Sequence, residues 1–353
     1  MRRKTNLNAK AMTTFETLWQ QLATEAPAEG SLLYRRLAGV VPDVYAGLRR
    51  RSERALALAL APPLPDLKID SRPLQDVRVE TLPDPLHPRR HLLLLTLLNP
   101  ALSDVFSVVC EDLVQELTLE TRQEQCVRVL LNRLDRWRAL FENHSPEGLS
   151  DEAQRGLFGE LYFLRLLLEV GIDPDRALGG WTGPERTSQD FSWARTAVEV
   201  KTSVVVSPES FQVSNARQLD DTGLEYLFVF FLSMSSIPER GETLNQLADT
   251  LADRLSKAPA LLNRFRLRLC EAGYFPQHRP RYDQPGYEVR DTACFRVSEG
   301  FPRLRETDLP AGVGQLRYAV SLAACAPFRA SHSELFQIVT TSTQPDSYEY
   351  PRT

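Results

Sequence analysis

Residues 188–204 read SQDFSWARTAVEVKTSV. Val198 and Val200 alternate in it with Glu199 and Lys201. Successive side chains of a strand point to opposite faces, so a strand over 197–204 sends both valines into a core and brings Glu199 and Lys201 out together on the other side. Residues 194–196 read as a turn and 189–193 as a short preceding strand. Asp190 therefore lies beside Glu199 if the hairpin register pairs them. Two carboxylates converging at a sheet edge make an oxygen-rich pocket suited to Mg2+, a hard cation that takes one or two protein carboxylates and keeps several waters. The chain contains only five lysines, Lys4, Lys10, Lys68, Lys201 and Lys257, and uses arginine elsewhere. A lysine on a mostly apolar strand points to a need for a compact charge that a forked guanidinium does not supply.

Working outward, Ser150 can cap a helix that carries Asp151 and Glu152 in its first turn and stops at 171–174. Gly156 and Gly159 give this helix a flat side that permits close approach to a sheet or a backbone, and Glu160 follows directly. Downstream of the hairpin come a further strand at 211–213, a short helix opened by Ser214, and an apolar, buried-type strand over 225–232. The order helix, strand, strand, strand, helix, strand predicts an α/β core with a mixed sheet at 146–235, in a chain that is α+β overall. Before it, 1–145 reads as a helical and β-rich module. Helical spacing runs over 13–60 (Phe15, Leu18, Leu22, Leu32, Leu33, Leu37), followed by strands at 77–82, 91–98 and 104–109. A helix over 120–141 carries Arg122, Arg128, Arg133, Arg136 and Arg138, either as a phosphate-contacting face or as a solvated face paired with Glu120, Glu124 and Asp135. After the core, helices at 242–256 and 259–273 and strands at 287–297 and 316–322 make a C-terminal α+β extension over 236–340. The polar stretch 341–353 reads as a flexible tail.

With 353 residues, 42% hydrophobic and 25% charged, the composition is that of an ordinary soluble globular protein of two or three units. A formal net charge of -4 leaves any nucleic-acid contact to local arginine clusters. The five cysteines (Cys110, Cys126, Cys270, Cys294, Cys325) are widely spaced with no CxxC pair, so a structural zinc site is not expected. Reduced buried thiols and a metal held by oxygen are expected. Neither a signal peptide nor a membrane-length apolar run is present, so the expected compartment is the cytoplasm.

Phosphodiester hydrolysis must deprotonate a water, neutralise charge on the phosphorus centre and stabilise the leaving oxyanion; a divalent ion, two or three acids and an ammonium meet those needs. Glu160 within GLFGELYFL, Asp190 in SQDF, and Glu199 and Lys201 in VEVKTS resemble the three signatures of the PD-(D/E)XK nuclease superfamily, over about residues 150–232. The whole chain resembles the bacterial PD-(D/E)XK motif proteins associated with phage-defence gene clusters, through GELYFL, VEVKTS, SNARQLD and the late CAPF segment. It departs from the pattern at the "PD" proline, whose place Gln189 takes. The resemblance implies a restriction-endonuclease-like αβββαβ core, catalysis by Glu160, Asp190, Glu199 and Lys201, and Mg2+ (or Mn2+) held by Asp190, Glu199, Val200 and Glu160. It also implies a phosphate or metal-water contact from Gln218; beside it, Arg155 and Arg217 are candidate phosphate contacts, and Ser203 and Thr202 are candidates to orient Lys201 or contact phosphate.

The leading expectation is thus a Mg2+-dependent DNA endonuclease of a bacterial defence or restriction system. The chain contains no P-loop, so ATP-driven translocation would come from a separate ATPase among partner defence proteins; a homo-oligomer is a further option. The alternative is a catalytically silent DNA-binding or scaffold subunit. An RNA-directed phosphodiesterase stands third, without a recognised RNA module to support it.

Overall fold

Phe15, Leu18, Trp19 and Leu22 recur at three- and four-residue spacing and are buried along one side of a short helix, α1 (Phe15–Thr24). In a computed structural model the chain is described over residues 15–342, apart from 26–31, 38–39, 41, 50–52, 65–75, 119, 121, 143–146, 186, 208, 311 and 313–315. It divides into two units, Met1–Ser145 and Pro146–Thr353.

In the first unit the helical spacing expected over 13–60 holds only for α1. Three strands follow it, β1 (Leu32–Arg36), β2 (Val44–Arg49) and β3 (Glu53–Leu60), then β4 (Val77–Pro83) and β5 (His91–Leu97). They form one antiparallel sheet in the order β1-β2-β3-β5-β4. In β3, ERALALAL is built from good helix formers, but Ala55, Leu56, Ala57 and Leu58 are all buried, so packing on both faces overrides propensity. Trp19 ties α1 to this sheet by donating its indole N–H to Gly47 O (2.9 Å) and Ala55 O (3.3 Å).

The strand expected at 104–109 is instead part of helix α2 (Ser103–Leu117), whose Val105, Phe106, Val109, Leu113 and Leu117 are buried at helical intervals. Its valines favour a strand only locally. Helix α3 (Gln123–Glu142) carries the arginine-rich surface. On it, Arg133 grips Asp112 of α2 through two hydrogen bonds (2.6 and 2.5 Å), and Arg138 pairs with Asp135 at 2.9 Å.

The second unit opens with α4 (Asp151–Glu169) and α5 (Pro174–Gly180), then strands β6 (Phe191–Trp193), β7 (Thr196–Ser203), β8 (Ser210–Val213) and β9 (Tyr226–Ile237). Helices α6 (Leu244–Leu255) and α7 (Pro259–Glu271) precede β10 (Gly286–Arg296), β11 (Tyr318–Ser321), the single turn α8 (Leu322–Cys325), β12 (Arg329–Ala330) and α9 (His332–Thr341). The main sheet runs β12-β10-β9-β7-β6. Its β7–β9 pair is parallel and the others antiparallel, so the mixed sheet of an α+β fold expected from the sequence is present. Two details depart from the expected core. Strand β8 pairs with β11 in a separate two-stranded sheet, and the segment read as a C-terminal extension supplies β10 and β12 to the main sheet. The proposed tail beyond residue 342 lies outside the described residues.

One face of the main sheet buries Val198, Val200, Phe228 and Phe230 against Phe158, Leu161, Phe163, Leu164 and Leu167 of α4. The opposite face buries Ala197, Val229 and Phe231 with Phe211, Val213 and Val320 of the small sheet. All five cysteines are free and buried. Among the described residues no helix is long and apolar enough to cross a membrane.

Candidate active site

Helix α4 starts where its sequence says it should: Ser150 Oγ accepts the Ala153 amide at 3.2 Å. Nine residues on, Gly159 lies so close to β7 that a Cβ there would collide with the Thr202 methyl and meet Val200 Cγ1 at 3.2 Å. That bare surface lets α4 approach the sheet and brings Glu160 beside the motif strand. Gly156 does not share the task, since none of the described residues lies within 4 Å of where its Cβ would be.

Strands β6 and β7 are joined by a two-residue turn in which Ala194 adopts φ 46°. Their register pairs Phe191 with Val198, and Asp190 immediately precedes Phe191 at the end of the strand. Asp190 Oδ2 accepts the Val200 amide at 2.7 Å, which fixes the acid against the strand that bears the other two motif residues. Glu199 and Lys201 share one face of β7, as alternation requires, but that face is covered: both residues are buried. Lys201 Nζ donates to Glu199 Oε1 (2.7 Å) and to Gln218 Oε1 (2.9 Å). Gln218 Oε1 also accepts the Ser214 amide at 2.8 Å, so the turn over Ala216–Leu219 orients the ammonium. Among the described residues Glu199 Oε2 is buried without a hydrogen-bond partner.

Glu160 and Asp190 are half-buried at the rim of this floor. Gly183 marks the gap between them: a Cβ there would stand 2.6 Å from Glu160 Oε2 and 3.3 Å from Asp190 Oδ1. Burial pushes the Glu199 carboxyl up to about 8; the Asp190 charge adds to the rise and the Lys201 ammonium opposes it. Burial likewise raises Asp190, against Lys201 and the Val200 amide. Glu160 is held well above the usual carboxylate range, by burial first and the Asp190 charge second, with the Trp181 indole opposing.

Three crowded acids share one ammonium, and among the described residues one carboxylate oxygen has no partner; such a site is short of positive charge. An all-oxygen donor set fits Mg2+ or Mn2+ rather than zinc. The acids are not closed on a single point, and among the described residues no three of His, Cys, Asp and Glu form a ready cage. Glu160 Oε2 is turned to Trp181 Nε1 (2.7 Å) and Glu199 Oε1 to Lys201. Asp190 and Glu199 are the pair best placed to hold an ion, two carboxylates being enough for Mg2+. Val200 contributes its amide to Asp190, and its side chain faces the core.

The other expected contacts distribute differently. Ser203 is buried, and its hydroxyl accepts the Val205 amide at 3.2 Å, a local bond that ends the strand. Arg217 is exposed and paired with Glu306 at 2.7 Å. Arg155 is half-buried on α4, within electrostatic reach of Tyr287.

Four residues not anticipated from sequence border the site. Trp181 and Gly183 contact Glu160; Gln189, in the place of the missing proline, donates to Arg217 O at 2.8 Å and so ties the Asp190 strand to the Gln218 turn. Tyr318 of β11 feels the Lys201 charge and accepts the Leu304 amide at 3.0 Å. The Gly-Trp-Thr-Gly run at 180–183 is the one sequence signal that marks the first pair.

Comparison with known proteins finds no match among curated proteins and none among solved structures. A family model described as "Putative PD-(D/E)XK family member, (DUF4420)" matches residues 15–323, and with that span covering most of its length the chain belongs to this family.

Proposed function

We propose that the chain is a divalent-metal-dependent DNA endonuclease, with Asp190, Glu199 and Glu160 as its acids and Lys201 as its ammonium. The observation that carries this reading is the buried Glu199 carboxylate, bonded to Lys201 through one oxygen while Oε2 has no hydrogen-bond partner among the described residues. Mg2+ or Mn2+ bound by Asp190 and Glu199, with Glu160 at its side, would act as a Lewis acid and lower the pKa of a bound water. Lys201, pinned between Glu199 and Gln218, is held to place a point charge against a scissile phosphate. Asp190 keeps its second oxygen toward the Gly183 gap while the first stays on the Val200 amide. Half-buried Arg155 on α4 and exposed Arg217 beside Gln218 are the candidates to contact the flanking backbone; Arg217 exchanges Glu306 for phosphate.

The resemblance to phage-defence proteins supports action in the cytoplasm within a bacterial defence system, with partner proteins supplying target choice and ATP hydrolysis. Cleavage of supercoiled plasmid in Mg2+, Mn2+ or EDTA tests the activity, with Asp190→Asn and Lys201→Ala as controls. Metal-dependent nicking that both substitutions abolish is expected. Equal nicking by all three proteins would refute the assignment.

The unclosed arrangement of the acids favours one second reading, a DNA-binding subunit without catalysis. It predicts DNA retention in gel shifts that neither substitution changes, and no cleavage in any metal.

A further inference from the structure

We infer that Trp181 is a positioning residue for Glu160, and that Gly183 keeps the space between Glu160 and Asp190 clear for a cation's ligands. This rests on the metal-dependent reading above and extends it to a loop outside the motif.

Trp181 is fully buried, yet it donates its indole N–H to Glu160 Oε2 at 2.7 Å. A hydrogen bond to an ionised or metal-bound carboxylate fixes its orientation, and such supporting partners are a regular part of metal sites. The indole is itself held. Its backbone bridges to Phe191 at the start of β6, and its ring packs 6.1 Å from Phe265 of α7. Glu185, two residues beyond Gly183, is paired with Arg268 on the same helix. Helix α7 thus braces the loop from behind.

The next two residues act on the opposite acid. The Thr182 and Gly183 amides both donate to the main-chain oxygen of Asp190 at 2.8 Å. One three-residue segment therefore fixes the backbone of Asp190 and the side chain of Glu160 together. Between the two acids, only a residue without a Cβ leaves their facing oxygens unobstructed: the added atom would press on Glu160 Oε2 at 2.6 Å. The flexible Glu160 carboxylate could swing away from such an atom only by leaving the Trp181 N–H. Gly183 shows no left-handed φ, so alanine there adds an obstruction without backbone strain. The two residues thus converge on one event, the placement of the Glu160 carboxylate.

The test is a calorimetric titration of the metal-free full chain with Mn2+, made on wild type, Trp181→Phe, Gly183→Ala, Asp190→Asn and Glu160→Ala, and on the first two combined with Glu160→Ala. Thermal melts are recorded for each. Trp181→Phe and Gly183→Ala are each expected to weaken Mn2+ binding about tenfold, and to have no further effect once Glu160 is alanine. Wild-type affinity in both variants, or the same loss with and without Glu160, would overturn the inference, because Trp181 would then act through packing alone. Gly183→Ala, on a half-buried loop, carries the test if the phenylalanine variant fails to fold. Mn2+ binding that Asp190→Asn abolishes but neither loop substitution touches would sink this role while leaving the proposed function standing. Absence of Mn2+ binding in the wild type would sink both.

Discussion

Replacing Glu199 with glutamine should make the metal-free second unit less sensitive to alkaline pH. In the folded chain burial lifts the Glu199 carboxyl from 4.5 to about 8. Between those values the folded state holds a proton that the unfolded state has released. Stability is therefore full below the unfolded value and is lost as pH rises through the folded one. Each pH unit in that window removes roughly 1.4 kcal/mol, of order 5 kcal/mol across it. Glu160 and Asp190 shift in the same direction, and Glu160 is raised in part by the Glu199 charge, so the difference between wild type and Glu199→Gln reports Glu199 together with that relief of Glu160. Hydrogen exchange of β7 and β9 peptides in rising urea, with EDTA at pH 5, 6, 7 and 8, gives the free energy of opening at each pH. The wild type should fall more steeply than the variant by close to 1.4 kcal/mol per unit. Parallel slopes would refute the reasoning, because they would mean that the Lys201 ion pair outweighs desolvation and keeps Glu199 ionised at its ordinary pKa. Excess Mn2+ should flatten the wild-type profile alone, since a bound cation favours the ionised acid.

Mn2+ binding at pH 7 should release about one proton or more, because Glu199 holds one in the metal-free chain up to about 8; titration in buffers of different ionisation enthalpy counts it. Gln218→Ala removes the oxygen shared by the Lys201 ammonium and the Ser214 amide. About a tenfold fall in kcat with little change in KM is expected from steady-state cleavage, and Gln218→Glu should recover part of it. Gly180→Ala would drive a methyl into the Trp193 indole, which is buried and anchored to Arg176 O at 3.0 Å. A loss of about 2–3 kcal/mol should appear in chemical denaturation. Asp112→Asn should cost the first unit about 3 kcal/mol, by weakening the paired bonds from Arg133 and the 2.9 Å bond from Trp137, and leave Mn2+ binding unchanged.

The motif strand was legible because the two-residue period of a strand fixes which side chains share a face, whatever packs on them. The Ser150 cap was legible because its bond to Ala153 is local. What sequence could not convey was burial. Glu199 and Lys201 were expected to emerge from the sheet, whereas β8 and β11, the latter over a hundred residues downstream, close over their face. The same blindness to tertiary partners turned β3 into helix and part of α2 into strand. Each is decided by which neighbours bury its side chains rather than by intrinsic preference. Trp181 was invisible as a site residue for another reason. A buried tryptophan in a loop reads as core, and only the position of its N–H, 21 residues from Glu160 in sequence, gives it a polar task.

That closure is also what gives the acids their chemistry. On an open sheet edge, water would solvate Asp190 and Glu199, their pKa values would stay ordinary, and a cation would gain little by displacing that water. In the folded chain burial makes the same groups resist ionisation, and among the described residues one oxygen of Glu199 has no donor. The fold keeps this unfavourable arrangement because Trp181, the Val200 amide and the Gln218 turn hold Glu160, Asp190 and Lys201 in place. On the reading proposed above, a divalent ion would resolve the conflict, since it adds positive charge beyond that of Lys201 and favours the ionised form of each acid. The cost carried by the metal-free site and the metal affinity proposed for it would then have one origin, and a substitution that relieves the first should weaken the second.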